Sequence, residues 1–261
     1  MYSSRGKLAV LEEEFKGEVL VAGDIHGDLK AFIKAKKIFE EKKNAVIVFL
    51  GDYADRGENG LEVIESIQEM LKVYPRRVVA LKGNHEDYRR GKPFFSPWTL
   101  GFEVEEKLKT TWDDFFRSFE RSFLSKLHLA FLIPGVALCV HGGVSRRLKK
   151  TEQLESPDSS LEEDILWSDP GEVDGEHVDP RGAGVLFGPD VSQWVCDNIG
   201  VTFIIRGHEP RKALWGPAFE HQGRVVTTSC TSIYGGRPFV LCIHPSKQLT
   251  PESLKENTIF L

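Results

Sequence analysis

Apolar positions follow two periods along the chain. Val19–Ala22, Ala45–Leu50 and Val78–Leu81 are compact apolar runs, each stopping within two residues of a glycine, as buried strands do. Between them, Leu29–Lys43 and Leu61–Val73 repeat apolar residues at helical spacing. The resulting βαβαβ pattern predicts parallel strands joined by right-handed helical crossovers. Phe102–Phe131 reads as helical, and Trp112, Phe115, Phe116, Phe119 and Phe123 give it an aromatic face expected to pack as core. From Gly135 onward, the runs Val136–Val140, Thr202–Ile205, Val225–Thr228 and Phe239–Ile243 predict a second sheet, expected to be antiparallel. Lys149–Glu163 reads as a surface loop and Asp169–Gly184 as a Gly/Pro/Asp-rich connection. Because β-rich segments continue beyond both, residues 1–261 are expected to form a single domain.

Composition narrows the classes. The net charge of −5 over 261 residues gives no basic footprint for nucleic acid. The longest apolar runs fall far short of the roughly 18 residues a spanning helix needs, so no membrane segment is expected. Residues 1–17 have only four consecutive apolar positions before three glutamates and lack the core of a secretory signal. Cys139, Cys196, Cys230 and Cys242 are widely separated, with no C-x-x-C pair. That spacing points to a reducing, cytoplasmic compartment rather than a disulfide framework. Cys139, inside an apolar run, is expected to be a small buried hydrophobe.

The chemistry sits where strands end. The first three predicted strands run into Gly23-Asp24-Ile25-His26-Gly27, Gly51-Asp52-Tyr53-Ala54-Asp55-Arg56-Gly57 and Gly83-Asn84-His85-Glu86. Parallel strands deliver such loops to one sheet edge, where α/β proteins bind ligands. Two later strands lead to His141-Gly142-Gly143 and Arg206-Gly207-His208. Together these loops offer carboxylates, imidazoles and one amide, a donor set suited to first-row divalent metals. No P-loop and no C-x5-R phosphate loop is present.

These motifs, with Leu166-Trp167-Ser168-Asp169-Pro170, Pro180–Gly188 and Tyr234, resemble the phosphoprotein phosphatase branch of the calcineurin-like metallophosphoesterases. The resemblance spans about residues 19–242 in the family's order. It implies an α/β, four-layer fold in which two mixed β-sheets form a central sandwich flanked by helices. It also implies two divalent metal ions, manganese foremost, with iron, zinc or cobalt also accepted. Asp24 and His26 would bind the first, Asp52 would bridge both, and Asn84, His141 and His208 would bind the second. Pro210 occupies the position of a further histidine in nuclease-like relatives.

The implied activity is hydrolysis of phosphoserine and phosphothreonine monoesters in protein substrates, by direct in-line attack of a hydroxide bridging the two ions. His85 would be the general acid, oriented and kept protonated by Asp55. Arg56 and Arg181, with Asn84 and Tyr234, would bind phosphate. Arg206 is expected to be structural, its side chain turned away from His208. The segment Ser229–Gly235 departs from the family pattern. Alternatives are a symmetrical diadenosine-tetraphosphate hydrolase and an inactive phosphoprotein-binding pseudophosphatase. Neither nucleic acid nor membrane is an expected partner, and regulatory subunits are left open.

Overall fold

The computed structural model describes residues 1–261 and builds two β-sheets face to face between helices. In the first sheet, Glu18–Ala22, Ala45–Phe49 and Val78–Ala80 run parallel, as the βαβαβ pattern requires. Phe239–Ile243 adds antiparallel beside Glu18–Ala22, and Thr258–Phe260 closes that edge. The helices Leu29–Glu41 and Gly60–Val73 make the crossovers. Asp28 caps the first of them by accepting from the Ala31 amide at 3.0 Å.

Strand alternation divides the core into layers. Val19, Val21, Val46, Val48 and Val79 face the second sheet and meet Phe131, Cys139, Ile205 and Val226. Their neighbours Leu20, Ala22, Ile47 and Phe49 face the helices and meet Phe32, Phe39, Val63 and Ile67. On the far side of the second sheet, Leu138, Val140 and Ile204 pack on Leu161, Ile165, Val191 and Val195. Both faces of each sheet are therefore buried, which is why its strands read as continuous apolar runs.

The second sheet is mixed, correcting the antiparallel expectation. Leu8–Leu11 pairs parallel with Ala130–Ile133, and Phe203–Arg206 pairs parallel with both Ala137–Val140 and Val225–Thr227. For the pairing of Ala137–Val140 with Phe203–Arg206, the physical reason lies in the connection from Val140 to Phe203, which holds the helices Ser159–Trp167 and Pro189–Ile199. A helical crossover returns the chain in the same direction. The first of these helices also corrects the reading of Lys149–Glu163 as a loop. Asp158, within that segment, is its N-cap and accepts from the Leu161 amide at 2.8 Å. Phe102–Phe131 is not one helix: it breaks at Lys109, whose φ is +55°, resumes over Trp112–Ser122 and ends in the strand beginning at Ala130. No helix is long and apolar enough to cross a membrane.

The aromatic face packs as expected. Phe119 stacks on Phe115 at 5.3 Å and on Phe123 at 5.6 Å, and Phe123 meets Tyr53 edge-on at 5.3 Å. Phe123 is fully buried, whereas Phe102 is 67% exposed. Phe123→Ala is therefore expected to cost about 3–5 kcal/mol, and Phe102→Ala no more than about 0.5 kcal/mol. Urea denaturation of the two variants checks this; equal midpoint shifts would contradict the layered core.

Candidate active site

Five loops converge beyond the carboxyl ends of the strands. The turns are tight: Asp24 forms a bridge with Ser229 immediately past its strand, and the next loops reverse the backbone within one or two residues. Nine non-glycine residues have positive φ, and five of them, His26, Asp52, Asp55, Arg56 and His208, are in this region. Such conformations cost on the order of 1–3 kcal/mol each and persist only where the surroundings enforce them. Two glycines show how closely the loops approach. A Cβ on Gly51, where φ is +112°, would lie 2.4 Å from the Gly83 nitrogen, and one on Gly207 would lie 2.2 Å from Asp24 Oδ1.

The histidines are held by backbone carbonyls. His26 Nδ1 lies 3.1 Å from the Ala54 oxygen and His141 Nδ1 lies 3.0 Å from the Leu50 oxygen. Each Nδ1–H therefore donates outward, and each Nε2 presents its lone pair inward. His26 Nε2 faces Asp24 Oδ2 at 3.7 Å and Asp52 Oδ2 at 3.5 Å. His141 Nε2 faces Asp52 Oδ1 at 3.3 Å, Asn84 Oδ1 at 2.9 Å and His208 Nδ1 at 3.2 Å. All six sequence-predicted metal ligands are thus brought together, in two groups that share Asp52.

This arrangement fits cations. Asp24 Oδ2 is buried with no hydrogen-bond partner, and the remaining inward atoms are mostly acceptors facing acceptors. In its alternative amide rotamer, Asn84 would donate to Asp52 at 3.2 Å and to both imidazoles, relieving part of the repulsion in a metal-free pocket. The orientation with the oxygen inward is the one that would suit a cation. Burial pushes Asp24 up to about 7 and raises Asp52 well above the usual carboxylate range, with the Asp24 and Glu86 charges adding to the effect. Burial also pushes His26, His141 and His208 well below the usual imidazole range, leaving them neutral and able to ligate.

His85 lies beside the first group, with its ring 5.0 Å from that of His26 and its other face 4.5 Å from Phe95. Its Nδ1 is 2.8 Å from Asp55 Oδ2, while Asp55 Oδ1 accepts from the Leu100 amide at 2.9 Å and the Thr99 amide at 2.5 Å. Asp55 does not cap the helix after it; Asn59 holds that position. The expectation that Asp55 keeps His85 protonated meets an opposing force. Burial, with the nearby Arg56 charge, lowers the His85 pKa despite the hydrogen bond and charge of Asp55, which raise it.

Arg56, Arg181 and Tyr234 line a polar cavity of about 140 Å³ with these residues. Arg56 donates to the Ser96 oxygen at 3.2 Å. Arg181 Nη2 donates to Asp179 at 2.9 Å and to Asp169, and Nη1 approaches His208 Nε2 at 2.5 Å. The Tyr234 ring sits 5.6 Å from that of His26, and its loop is fixed by Ser232 donating to Asp28 at 2.6 Å. Arg206 is fully buried and ties Gly142, Asp169 and Glu209 together, as its structural reading requires.

Three contributors were not singled out from sequence. Glu86 accepts from the Asp52 and Gly83 amides, both at 2.9 Å, and from Tyr53 at 3.2 Å, holding two of the loops in register. Burial pushes it up to about 7. Asp169 and Asp179 aim Arg181. Glu86 lies within the strand-end motif Gly83–Glu86, Asp169 lies within Leu166–Pro170 and Asp179 directly precedes Pro180–Gly188, but their roles depend on contacts that sequence spacing does not show.

The calcineurin-like phosphoesterase family model matches residues 17–212, and the chain belongs to that family. Its relatives include a serine/threonine-protein phosphatase of Caenorhabditis elegans, 34% identical over 207 residues, covering 75% of this chain and 44% of that protein. A probable serine/threonine-protein phosphatase of Encephalitozoon cuniculi is 30% identical over 237 residues, covering 87% and 50% respectively. The chain thus spans about half the length of these relatives. Among solved structures, a serine/threonine phosphatase from Saccharomyces cerevisiae with similarity to human phosphatase PP5 superposes with a TM-score of 0.76. It is 25% identical, with 97% of this chain and 81% of that one covered. The two-sheet, helix-flanked architecture is the metallophosphoesterase fold.

A pH prediction follows from the opposed shifts. Raised carboxyl pKa values mean that the folded, metal-free chain holds protons the unfolded chain has lost, so this stabilisation fades as pH rises towards the folded values. Lowered histidine pKa values act oppositely, but only below the ordinary value of 6.5. Between about pH 6.5 and 8 only the carboxyl effect remains. Chelator-treated protein is expected to lose melting temperature across that window, with Asp52→Asn flattening the loss. Manganese should raise the melting temperature of the wild type more than that of the variant; identical shifts in both would contradict a shared ligand.

Proposed function

We propose that this chain is a serine/threonine protein phosphatase hydrolysing phosphoserine and phosphothreonine monoesters. The observation that carries this reading is the buried, two-group donor cluster sharing Asp52, opening to a cavity flanked by Arg56, Arg181 and the His85–Asp55 pair. In this reading Asp24 and His26 hold one divalent cation, Asn84, His141 and His208 hold the other, and Asp52 bridges them. Manganese is the first choice, and the donor set also suits iron, zinc or cobalt. When bound, such ions acidify water and neutralise phosphate charge.

The protein's own groups do the rest. Arg56 and Arg181 offer paired donors to the phosphoryl oxygens and stabilise charge spread over them in the transition state. Asp169 and Asp179 fix the Arg181 fork before substrate arrives, so less order is lost on binding. Tyr234 closes the cavity beside His26 and can donate to phosphate or product. Displacement is in line, with water entering opposite the seryl oxygen and His85 Nε2 delivering a proton to that oxygen as it leaves. Since burial works against the imidazolium, Asp55 supplies orientation and part of the charge. The arriving phosphate dianion supplies further negative charge that favours protonated His85.

A metal-loaded panel of phosphoserine, phosphothreonine and phosphotyrosine peptides with diadenosine tetraphosphate tests the reading. Phosphate release from the first two is expected to dominate and to be abolished by Asp52→Asn; faster dinucleotide turnover would overturn it. A leaving-group comparison tests the acid. His85→Gln should lower kcat on a phosphoserine peptide by about 10²–10⁴ while largely sparing para-nitrophenyl phosphate, whose phenolate leaves without a proton. Equal losses on both substrates would assign His85 a different role.

A further inference from the structure

We propose that a basic, aromatic groove beside Tyr234 binds an acidic stretch of the phosphorylated substrate chain. The inference rests on the reading of the site as a protein phosphatase and adds the character of the substrate. A groove of about 480 Å³ is lined by Arg211, Leu214, Trp215, Lys255 and Phe260. It is joined to the active site through Arg211, whose guanidinium lies 5.6 Å from the centre of the Tyr234 ring. Tyr234 in turn faces His26.

Charge is the first argument. Arg211, Arg237 and Lys255 lie over aromatic rings and form no ion pair: Arg211 over Tyr234, Arg237 over Phe260 at 4.3 Å and Lys255 over Phe219 at 5.2 Å, with only Glu252 near Lys255 along its helix. Lys212 differs, being held by Glu209 at 2.8 Å and Glu220 at 2.7 Å. Three cations outside any ion pair on one face of a chain of net charge −5 make a local field opposite in sign to the whole. The second argument is exposed apolar surface. Trp215 is 74% exposed, and Phe260 is 37% exposed. An aromatic platform rimmed by cations suits a peptide that carries acidic side chains on an extended backbone. The groove is also firmly built, since the Arg237 amide donates to the Leu214 oxygen at 2.7 Å and joins its two walls.

Distance fits the same occupant. Two successive steps of 5.6 Å lead from His26 to Tyr234 and on to Arg211. An extended chain rises roughly 3.3 Å per residue. Side chains about two to four residues from a phosphoserine in the cavity therefore reach the groove.

The test compares two phosphoserine peptides of equal length, with either three glutamates or three lysines two to four residues from the phosphoserine, prepared on each side. One exposed ion pair changes binding by a factor of about 1.5–5, so several together should give the acidic peptide an advantage of about tenfold in kcat/KM. The advantage should appear mainly in KM. It should shrink as salt rises from 0.01 to 0.15 M and the screening length falls from about 30 to about 8 Å. The double variant Arg237→Glu/Lys255→Glu should reverse the preference, and Trp215→Ala should weaken binding of both peptides. Para-nitrophenyl phosphate, too small to reach the groove, should be hydrolysed by these variants at the wild-type rate, showing that they fold. Equal turnover of the two peptides, or a preference unchanged in the double variant, overturns the assignment. A KM that rises in the variants only for diadenosine tetraphosphate also overturns it, in favour of a nucleotide. Failure to hydrolyse any phosphopeptide would instead overturn the reading of the site itself.

Discussion

The site depends on the buried carboxylate of Asp52, whose two oxygens face different groups of ligands. Oδ2 faces His26 and Oδ1 faces His141, so one residue just past the strand Ala45–Phe49 joins two groups of donors. Its backbone sits at a φ of +53°, and Glu86 holds its amide. Each feature alone is unfavourable: a charge out of water, a strained dihedral, a second buried carboxylate. They become compatible when positive charge fills the gap, because the same low dielectric that penalises an isolated carboxylate strengthens its attraction to a cation. The carbonyls of Ala54 and Leu50 complete the arrangement by turning each Nε2 lone pair inward.

The four-layer core makes this possible by fixing where the strands end. Alternate residues of Glu18–Ala22 and Ala45–Phe49 are committed to opposite faces, so a slip of one residue would exchange the two sets and move Asp24 and Asp52 with them. Both strands are buried on both faces, and the register has little freedom. Asp28 carries the constraint outward by capping a helix and holding Ser232 at once. Tyr234 is thereby tied to the same framework as His26.

Much of this was legible in the sequence. The strands and helices of the first sheet and the five converging loops followed from short apolar runs ending in glycine-flanked polar residues, whereas the ligand positions within those loops were implied by the family resemblance. That pattern survives because a buried parallel strand tolerates little else. Strand direction in the second sheet was not legible, since it depends on what each connection holds: two helices between Val140 and Phe203, and only short turns and one strand between Arg206 and Val225. The helix Ser159–Trp167 was hidden by the Asp158-Ser159-Ser160 cluster, equally at home in a turn or at a helix start. Asp169 was quoted within a motif, but its role was invisible because it depends on two arginines distant in sequence, Arg181 and Arg206. The protonation of His85 was likewise beyond the sequence, because it is a balance between burial and one ion pair.

The same balance explains the division of labour among the arginines. Arg206 is fully buried and spends its donors within the fold, on Gly142, Asp169 and Glu209. Arg181 shares Asp169 with it but remains partly exposed and directed at the cavity, and Arg56 reaches the cavity from a strained exposed turn. Three carboxylates, Asp169, Asp179 and Glu209, meet these two guanidiniums, so the pair carries no surplus positive charge, and Asp169 and Asp179 serve to aim Arg181. Because Asp24, Asp52, Asp55 and Glu86 are buried beside the cavity, Arg56 and Arg181 alone do not make it attractive to an anion; cations held by Asp24 and Asp52 would reverse the local sign, so an acidic chain can receive phosphate there only when the pocket is loaded.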